Sequence, residues 1–381
     1  MHQAETLWHS PFGDFELRRL PLRRRESLRA WDAADDYLLT DLAASGEIES
    51  APLVVNDAFG ALAVPLHSHA PQSWSDSWLA FEATRQNLQR NGLSGEAVRF
   101  IDSLQTPPAA RQVLIKLPKS LALLEDQLLR LKPRLAEGSQ LRLAGMQKHM
   151  PRRLWMLLET LVGPTETLPG RHKAKLIRVR VDASLPLPQN PYPSRYRLED
   201  TDYELLNHSA LFSRERLDIG TRFLLEQMPR TEGAGRIADL GCGNGVLGLM
   251  AARDNPEAEV FFVDESFMAV DAARENLKRL DPQLQRFHFI VGNSLADFEA
   301  ASLDLVLCNP PFHQQQAVGD RVAAQMFRDA ARALQPEGEL WVVANRHLNY
   351  PRLLKRHFGR VETHAANRKF VILRAAEPRQ G

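Results

Sequence analysis

The chain has 381 residues, 48 Lys and Arg against 47 Asp and Glu, and an ordinary apolar fraction of 44%. That length supports two domains with cores of their own, and the near-zero net charge excludes a chain-wide electrostatic grip on nucleic acid. The two cysteines, Cys242 and Cys308, lie far apart without metal spacing, so neither a disulfide framework nor a cysteine metal site is expected and a reducing compartment fits.

In chain order, the opening stretch MHQAETLWHSPFGDFELRRL lacks the long apolar core of a signal peptide, and no later apolar run approaches a membrane span. A cytoplasmic location is expected. Two basic runs follow, RLAGMQKHMPRR at 142–153 and RHKAKLIRVR at 171–180, neither carrying an acid. They are either solvated faces or local docking sites for phosphate, as is the basic region from Arg346 to Arg374. The proline-rich window SLPLPQNPYPSR at 184–195 continues neither a helix nor a central strand. It is expected to be a linker, over 184–196, between a domain at 1–183 and another at 197–381.

The second half alternates strands and helices. GRIADL predicts a strand, with a helix from NGVLGLMAARDN; AEVFFVDES predicts a second strand, with a helix through FMAVDAARENLKRL. RFHFIVGN and LDLVLCN are the third and fourth strands, AAQMFRDAARALQ a helix, and GELWVVAN a fifth strand. Such alternation implies crossover connections and a mainly parallel, doubly wound α/β sheet. Ligands of these sheets bind beyond the carboxyl ends of the strands, at the switch point of strand order.

Chemistry is therefore sought at the strand tips. After the first strand come Asp239, Leu240, Gly241, Cys242, Gly243, Asn244 and Gly245, a turn whose glycines admit a ligand close to the backbone. Asp264 ends the second strand, where a carboxylate accepts both hydroxyls of a ribose. A dinucleotide would also suit a glycine turn, but the acid ahead of the glycines favours a ligand with positive charge. S-adenosylmethionine, with its ammonium and sulfonium, meets that requirement. The fourth strand ends in Asn309, Pro310, Pro311 and Phe312. The carboxamide oxygen of Asn309 and the carbonyl of Pro310 would hold the two hydrogens of an exocyclic amine and turn its lone pair to the methyl group. Proline sets that geometry before the substrate arrives, and Phe312 would stack on a base rotated out of its neighbours. Each feature has a plainer reading: prolines that only turn the chain, His313 as a polar loop residue, Asn293 as a cap of the next helix instead of an adenine contact, and Asp239 as a support of the glycine turn.

The segments FSRERLDIGTRFLLEQMP, DLGCGNGVLGL, VDESFMAV, CNPPFHQQ and VANRHLNY, with AWDAADDYLL and NDAFGAL in the first half, are similar to bacterial ribosomal RNA guanine 2-amino methyltransferases. They resemble above all the large-subunit, 23S-directed group with duplicated methyltransferase domains. NPPF alone is shared by many enzymes; CNPPFHQQ beside FSRERLDIGTR is more specific. The resemblance implies S-adenosylmethionine-dependent methylation of one guanine of protein-free 23S RNA, guanine-1835, without metal or membrane. It also implies Phe212, Arg214, Asp218, Gly220 and Thr221 on the cofactor's methionine side, Asp239, Gly241, Gly243, Asn244, Gly245, Asp264 and Asn293 around the rest of the cofactor, and Asn309 to Phe312 around guanine. Methylation of 16S RNA, of DNA adenine or of protein glutamine stays open, as does a non-catalytic RNA-binding or chaperone protein built from two retired folds.

The first half repeats the second. VVNDAFGALAVPL lies under IADLGCGNGVLGL, DSWLAFEATRQNL under DESFMAVDAARENL, and VLIKLPKS under LVLCNPPF. Two tandem Rossmann-like methyltransferase domains are expected, the first degenerate. In this overlay only Gly60 remains of the glycines, under Gly243; Phe59 fills cofactor space, and Leu117, Pro118 and Lys119 replace the Asn-Pro-Pro tip. The first domain is expected either to stabilise its partner or to grip RNA through Lys116, Lys119, Arg171, Lys173, Lys175 and Arg178.

Overall fold

Short apolar runs alternating with capped helices fold into two compact units, Met1–Tyr192 and Pro193–Gly381. A computed structural model of the chain describes residues 4–22, 26–46, 48–229, 233–311 and 316–379, with the side chains of 316–320 left aside. Unit 1 holds the hairpin β1 (Leu7–Ser10) and β2 (Gly13–Glu16), then α1 (Ala33–Ala44), β3 (Leu53–Val55), β4 (Gln72–Ser75), α2 (Trp78–Arg90), β5 (Arg99–Asp102), β6 (Gln112–Lys116), α3 (Leu121–Leu131), β7 (Gln140–Met146), α4 (Arg153–Leu161), β8 (Thr165–Thr167) and β9 (Ala174–Arg180). Unit 2 holds the hairpin β10 (Ser194–Arg197) and β11 (Glu204–Asn207), then α5 (Ile219–Glu226), β12 (Arg236–Leu240), α6 (Val246–Asp254), β13 (Glu259–Asp264), α7 (Phe267–Leu277), β14 (Phe287–Val291), β15 (Leu303–Cys308), α8 (Gln316–Ala333), β16 (Leu334–Asn345), α9 (Tyr350–Leu354), β17 (Phe358–Ala366) and β18 (Phe370–Pro378). Serines start α2 and α7: Ser77 and Ser266 accept from Ala80 N and Ala269 N, each at 3.1 Å, a cap of about 1 kcal/mol.

The two sheets have one topology. Strand order is β5-β4-β3-β6-β7-β9-β8 in unit 1 and β14-β13-β12-β15-β16-β18-β17 in unit 2. The first five strands of each run parallel, and the last two add antiparallel to the edge. Residues alternate between layers: Ile237, Leu305 and Leu307 pack with Leu249 and Val270 on one face, while Ala238, Leu240, Val306 and Cys308 pack with Phe327 and Ala330 on the other. Burying each large aliphatic side chain there contributes about 1.5–3 kcal/mol. Strand order reverses between β12 and β15, so the switch point lies between their tips.

Hydrogen bonds fix how the repeats align. Asn276 of α7 donates to the carbonyls of Leu206 (3.1 Å) and Asn244 (2.9 Å) and accepts from Leu206 N at 2.8 Å. Asn87 of α2 repeats this on the Arg18 carbonyl (2.9 Å), the Phe59 carbonyl (2.8 Å) and Arg18 N (3.0 Å). Phe59 therefore corresponds to Asn244, and Gly60 to Gly245. Both glycines have φ of +78°, and a Cβ would collide with Thr84 and Val64 at the first and with Ala273 at the second. This corrects the overlay by two positions. With β6 aligned on β15, the ladder Val55↔Ile115 beside Asp239↔Leu307 puts Val55 where unit 2 has its strand-end acid. The turn of unit 1 is closed by Asp57, which accepts from Ala61 N, Leu62 N and Ala63 N at 2.8–2.9 Å.

Two residues expected to touch RNA are committed elsewhere. Lys116 is an internal staple: its ammonium lies 2.9 Å from Asp32 Oδ1 and 2.6 Å from Asp35 Oδ2, the two carboxylates that cap α1. Burial pushes the Asp35 carboxyl up to about 6 against the opposing pull of Lys116. Lys116→Ala leaves that carboxylate buried without its partner, and an unfolding stability lower by about 3–5 kcal/mol is expected in denaturant titration, with RNA affinity of the folded protein unchanged. Arg178 pairs with Asp41 at 2.6 Å and Glu166 at 3.4 Å, and Asp41 also holds the buried Arg142. Arg142 is thus no part of a basic face.

The proline-rich segment is tied to α3 and the turn after it. Lys132 Nζ donates to the Leu185 carbonyl at 2.8 Å, Asn190 Nδ2 to Asp126 at 2.7 Å, and Tyr192 Oη to Glu125 at 2.9 Å. Residues 194–197 already form β10. Among the described residues no helix is long and apolar enough to cross a membrane, and no cluster of His, Cys, Asp and Glu is suited to a metal.

Candidate active site

Three strand tips and one helix start meet at the switch point of unit 2. Parallel pairing places Leu240 of β12 opposite Cys308 of β15, and adjacent strands run about 4.8 Å apart. The glycine turn therefore leaves one strand directly beside the point where Asn309 leaves the other. Gly241, Gly243 and Gly245 all have positive φ. A Cβ added at Gly243 would project into open space, so the backbone there is free to receive a ligand.

The acids are anchored by backbone amides. Asp264 accepts from Gly243 N and Ser266 N, each at 3.1 Å, tying the glycine turn to the end of β13. Burial raises its carboxyl pKa against these bonds. Asp239 is almost fully buried; its Oδ2 accepts from Gly248 N at 2.8 Å, and its Oδ1 has no partner among the described residues. Burial pushes its carboxyl up to about 8. A buried carboxyl with one oxygen unsatisfied costs stability, and a cation beside it would relieve that cost. The residues present fit a ligand bearing an ammonium group.

Asn309, half-buried at the tip of β15, has its amide fixed: Nδ2 donates to Thr221 Oγ1 at 2.7 Å and to Asp218 Oδ2 at 3.3 Å. Its Oδ1 is the second buried oxygen of this region without a partner among the described residues. Pro310 is buried and Pro311 exposed; Phe312 and His313 lie outside the described residues. Asp218 caps α5, accepting from Thr221 N at 2.9 Å. Gly220 lets that helix start close to the sheet, since a Cβ would stand 3.2 Å from the Phe370 ring.

Other expected residues stand further from the tips. Asn244 turns to the hairpin, donating to Tyr196 Oη at 3.1 Å and Asn207 Oδ1 at 3.0 Å. Phe212 is 64% exposed, and Arg214 donates to the Ser209 carbonyl at 2.7 Å. Asn293 at the end of β14 accepts from Gln325 Nε2 of α8 at 2.7 Å. Tyr196, Asn207, Asn276 and Gln325 carry no motif, and sequence reasoning passed over them. Asn276 alone was within reach, because the overlay sets it on Asn87.

The chain matches the RLMG N-terminal domain family over residues 5–183 and the methyltransferase small domain family over 202–374. A relative named ribosomal RNA large subunit methyltransferase G, from Pseudomonas paraeruginosa, is 51% identical over 374 residues, which cover 97% of this chain and all of the relative. The chain belongs to the ribosomal RNA large subunit methyltransferase G family. A Streptomyces avermitilis member is 48% identical over 376 residues, covering 97% of this chain and 98% of its own. Among solved structures, a T. thermophilus 16S ribosomal RNA N2-guanine methyltransferase in complex with AdoMet and guanosine shares the fold, with a TM-score of 0.76, 22% identity, and coverage of 98% and 97% of the two chains. The fold is that of S-adenosylmethionine-dependent methyltransferases, and family membership makes this chain a ribosomal RNA methyltransferase.

Proposed function

We propose that unit 2 methylates the exocyclic 2-amino group of one guanine in 23S ribosomal RNA. The observation that carries this reading is the Asn309 amide: its NH₂ is tied down, its oxygen is buried and has no partner among the described residues, and it sits beside the glycine turn. When bound, S-adenosylmethionine supplies an electrophilic methyl group on its sulfonium. Gly241, Gly243 and Gly245 would let the backbone approach this cofactor, Asp264 would accept from ribose hydroxyls, Asn293 would meet adenine, and Asp239 would face the ammonium. The lone pair of a guanine amine is delocalised into the ring, so a residue must turn it outward. Asn309 Oδ1 and the Pro310 carbonyl accept its two hydrogens, and Phe312 stacks on the base. Alkylation makes the amine acidic, so these two acceptors hold its protons until water takes one and no side-chain base is needed.

Unit 1 keeps the frame without the chemistry, with Val55 in place of the acid and Leu117 in place of Asn309. We assign it RNA contact through the exposed Arg171 and Lys173 in the turn before β9 and the half-buried Lys175 at its start, near α4, with the exposed Lys119 beyond the β6 tip. Lys175 lies 5.9 Å from the Trp155 ring centre, and the Trp155 indole donates to Thr167, giving a ring and cations together, as RNA binding uses. Reversing Lys173 and Lys175 to glutamate is expected to weaken 23S RNA binding about tenfold and to flatten the log–log salt slope by about 1.5. Filter binding across a salt series checks this, and an unchanged slope returns that strand to a solvated face. A cytoplasmic location fits this reading.

Incubating the protein with tritium-labelled cofactor and protein-free 23S RNA, 16S RNA, DNA or protein tests the substrate. Label is expected in 23S RNA. Label confined to 16S RNA, DNA or protein contradicts the proposal.

A further inference from the structure

The proposed reaction asks something of Asn309 that an amide does not settle alone, namely which end faces the substrate. A carboxamide is nearly symmetric in shape; turned over, it would set its NH₂ against the guanine amine, donor against donor. Its neighbours resolve the choice. Asn309 Nδ2 donates to Thr221 Oγ1 at 2.7 Å, and Thr221 Oγ1 donates in turn to Asp218 Oδ2 at 3.3 Å. The same carboxylate oxygen receives Thr221 N at 2.9 Å and Asn309 Nδ2 at 3.3 Å. A carboxylate only accepts. Polarity therefore runs one way, from amide NH to hydroxyl to carboxylate, and the atom left over is Oδ1, the acceptor.

We propose that Asp218 and Thr221 are positioning residues that lock the Asn309 amide with its oxygen toward the substrate amine. The proposal rests on the reading of Asn309 as amine acceptor, and it gives two residues expected beside the cofactor a duty toward the other reactant. Unit 1 repeats the wiring emptied of chemistry. Asp32 caps α1 as Asp218 caps α5, Asp35 stands at the third helical position as Thr221 does, and the two hold Lys116, the neighbour of Leu117. In both units the start of this helix is tied to the tip of the fourth strand. Only in unit 2 does the tie end on an amide.

Thr221→Val keeps shape and removes the hydroxyl. It is expected to lower kcat about tenfold, as loss of one structured hydrogen bond does, while the Kd for S-adenosylhomocysteine stays within about twofold. Thr221→Ser is expected to restore turnover. Asp218→Asn, which can donate as well as accept, is expected to lower kcat in the same way. In an Asn309→Ala background Thr221→Val is expected to cost nothing more, the non-additivity of residues that act as one. A Kd that rises in step with the loss of kcat, or an undiminished Thr221→Val effect in the Asn309→Ala background, overturns the inference alone. Near-parent turnover in Asn309→Ala itself overturns the acceptor reading and the inference with it.

Discussion

Asn309→Ala is expected to lower turnover on 23S RNA by two to three orders of magnitude, about what removal of one preorganised polar group from a reacting centre costs, while the Kd for S-adenosylhomocysteine moves less than about twofold. The reason is positional. Among the described residues Oδ1 has no partner, while Nδ2 is spent on Thr221 and Asp218. Removing the side chain takes away an acceptor for the amine and leaves Gly243, Asp264 and Asp239 in place. Single-turnover kinetics beside calorimetric binding separates the two effects. Equal loss of both would mean that Asn309 shapes the pocket and does not act on the amine.

Asp239 predicts a pH dependence of cofactor binding. Its carboxyl, ordinarily near 3.8, is pushed up to about 8 by burial. Between those values the free protein keeps it protonated, and a ligand ammonium that needs the carboxylate must expel the proton. Affinity for S-adenosylhomocysteine is therefore expected to rise with pH, by up to about tenfold per unit, and to level off above about 8. The same raised value means that this group's contribution to folding stability is present at low pH and is lost as pH rises through about 8. Calorimetry in buffers of different ionisation enthalpy is expected to show proton release on binding. Asp239→Asn should abolish the slope and weaken binding about 10- to 100-fold at high pH, the range of a hydrogen bond to a charged partner. A flat pH profile in the parent protein would make Asp239 a support of the Gly248 amide only.

The parts of the site legible in sequence are those carried by local pattern. Alternating apolar runs and helical periods gave the parallel strands of unit 2, and Asp239, Asp264 and Asn309 each sit at a strand end where a change from apolar to polar marks the tip. What escaped depends on distance along the chain. Lys116 looked like a basic residue at a strand end because its partners, Asp32 and Asp35, lie far upstream; the Asp41 partner of Arg178 is as distant along the chain. The register of the repeat slipped at the turn of unit 1, which is shorter than the glycine turn of unit 2, and the Asn87 and Asn276 hydrogen bonds reveal the shift. Strand β17 went unread because it is largely exposed and lacks an apolar run.

The most direct test is to methylate protein-free 23S RNA with the purified enzyme, digest it to nucleosides and identify the product by mass spectrometry, with Asn309→Ala alongside. The account predicts N2-methylguanosine from one site, formed by the parent protein and nearly absent with the variant. A methyl group on any other atom, or the same product at undiminished rate from Asn309→Ala, would contradict it.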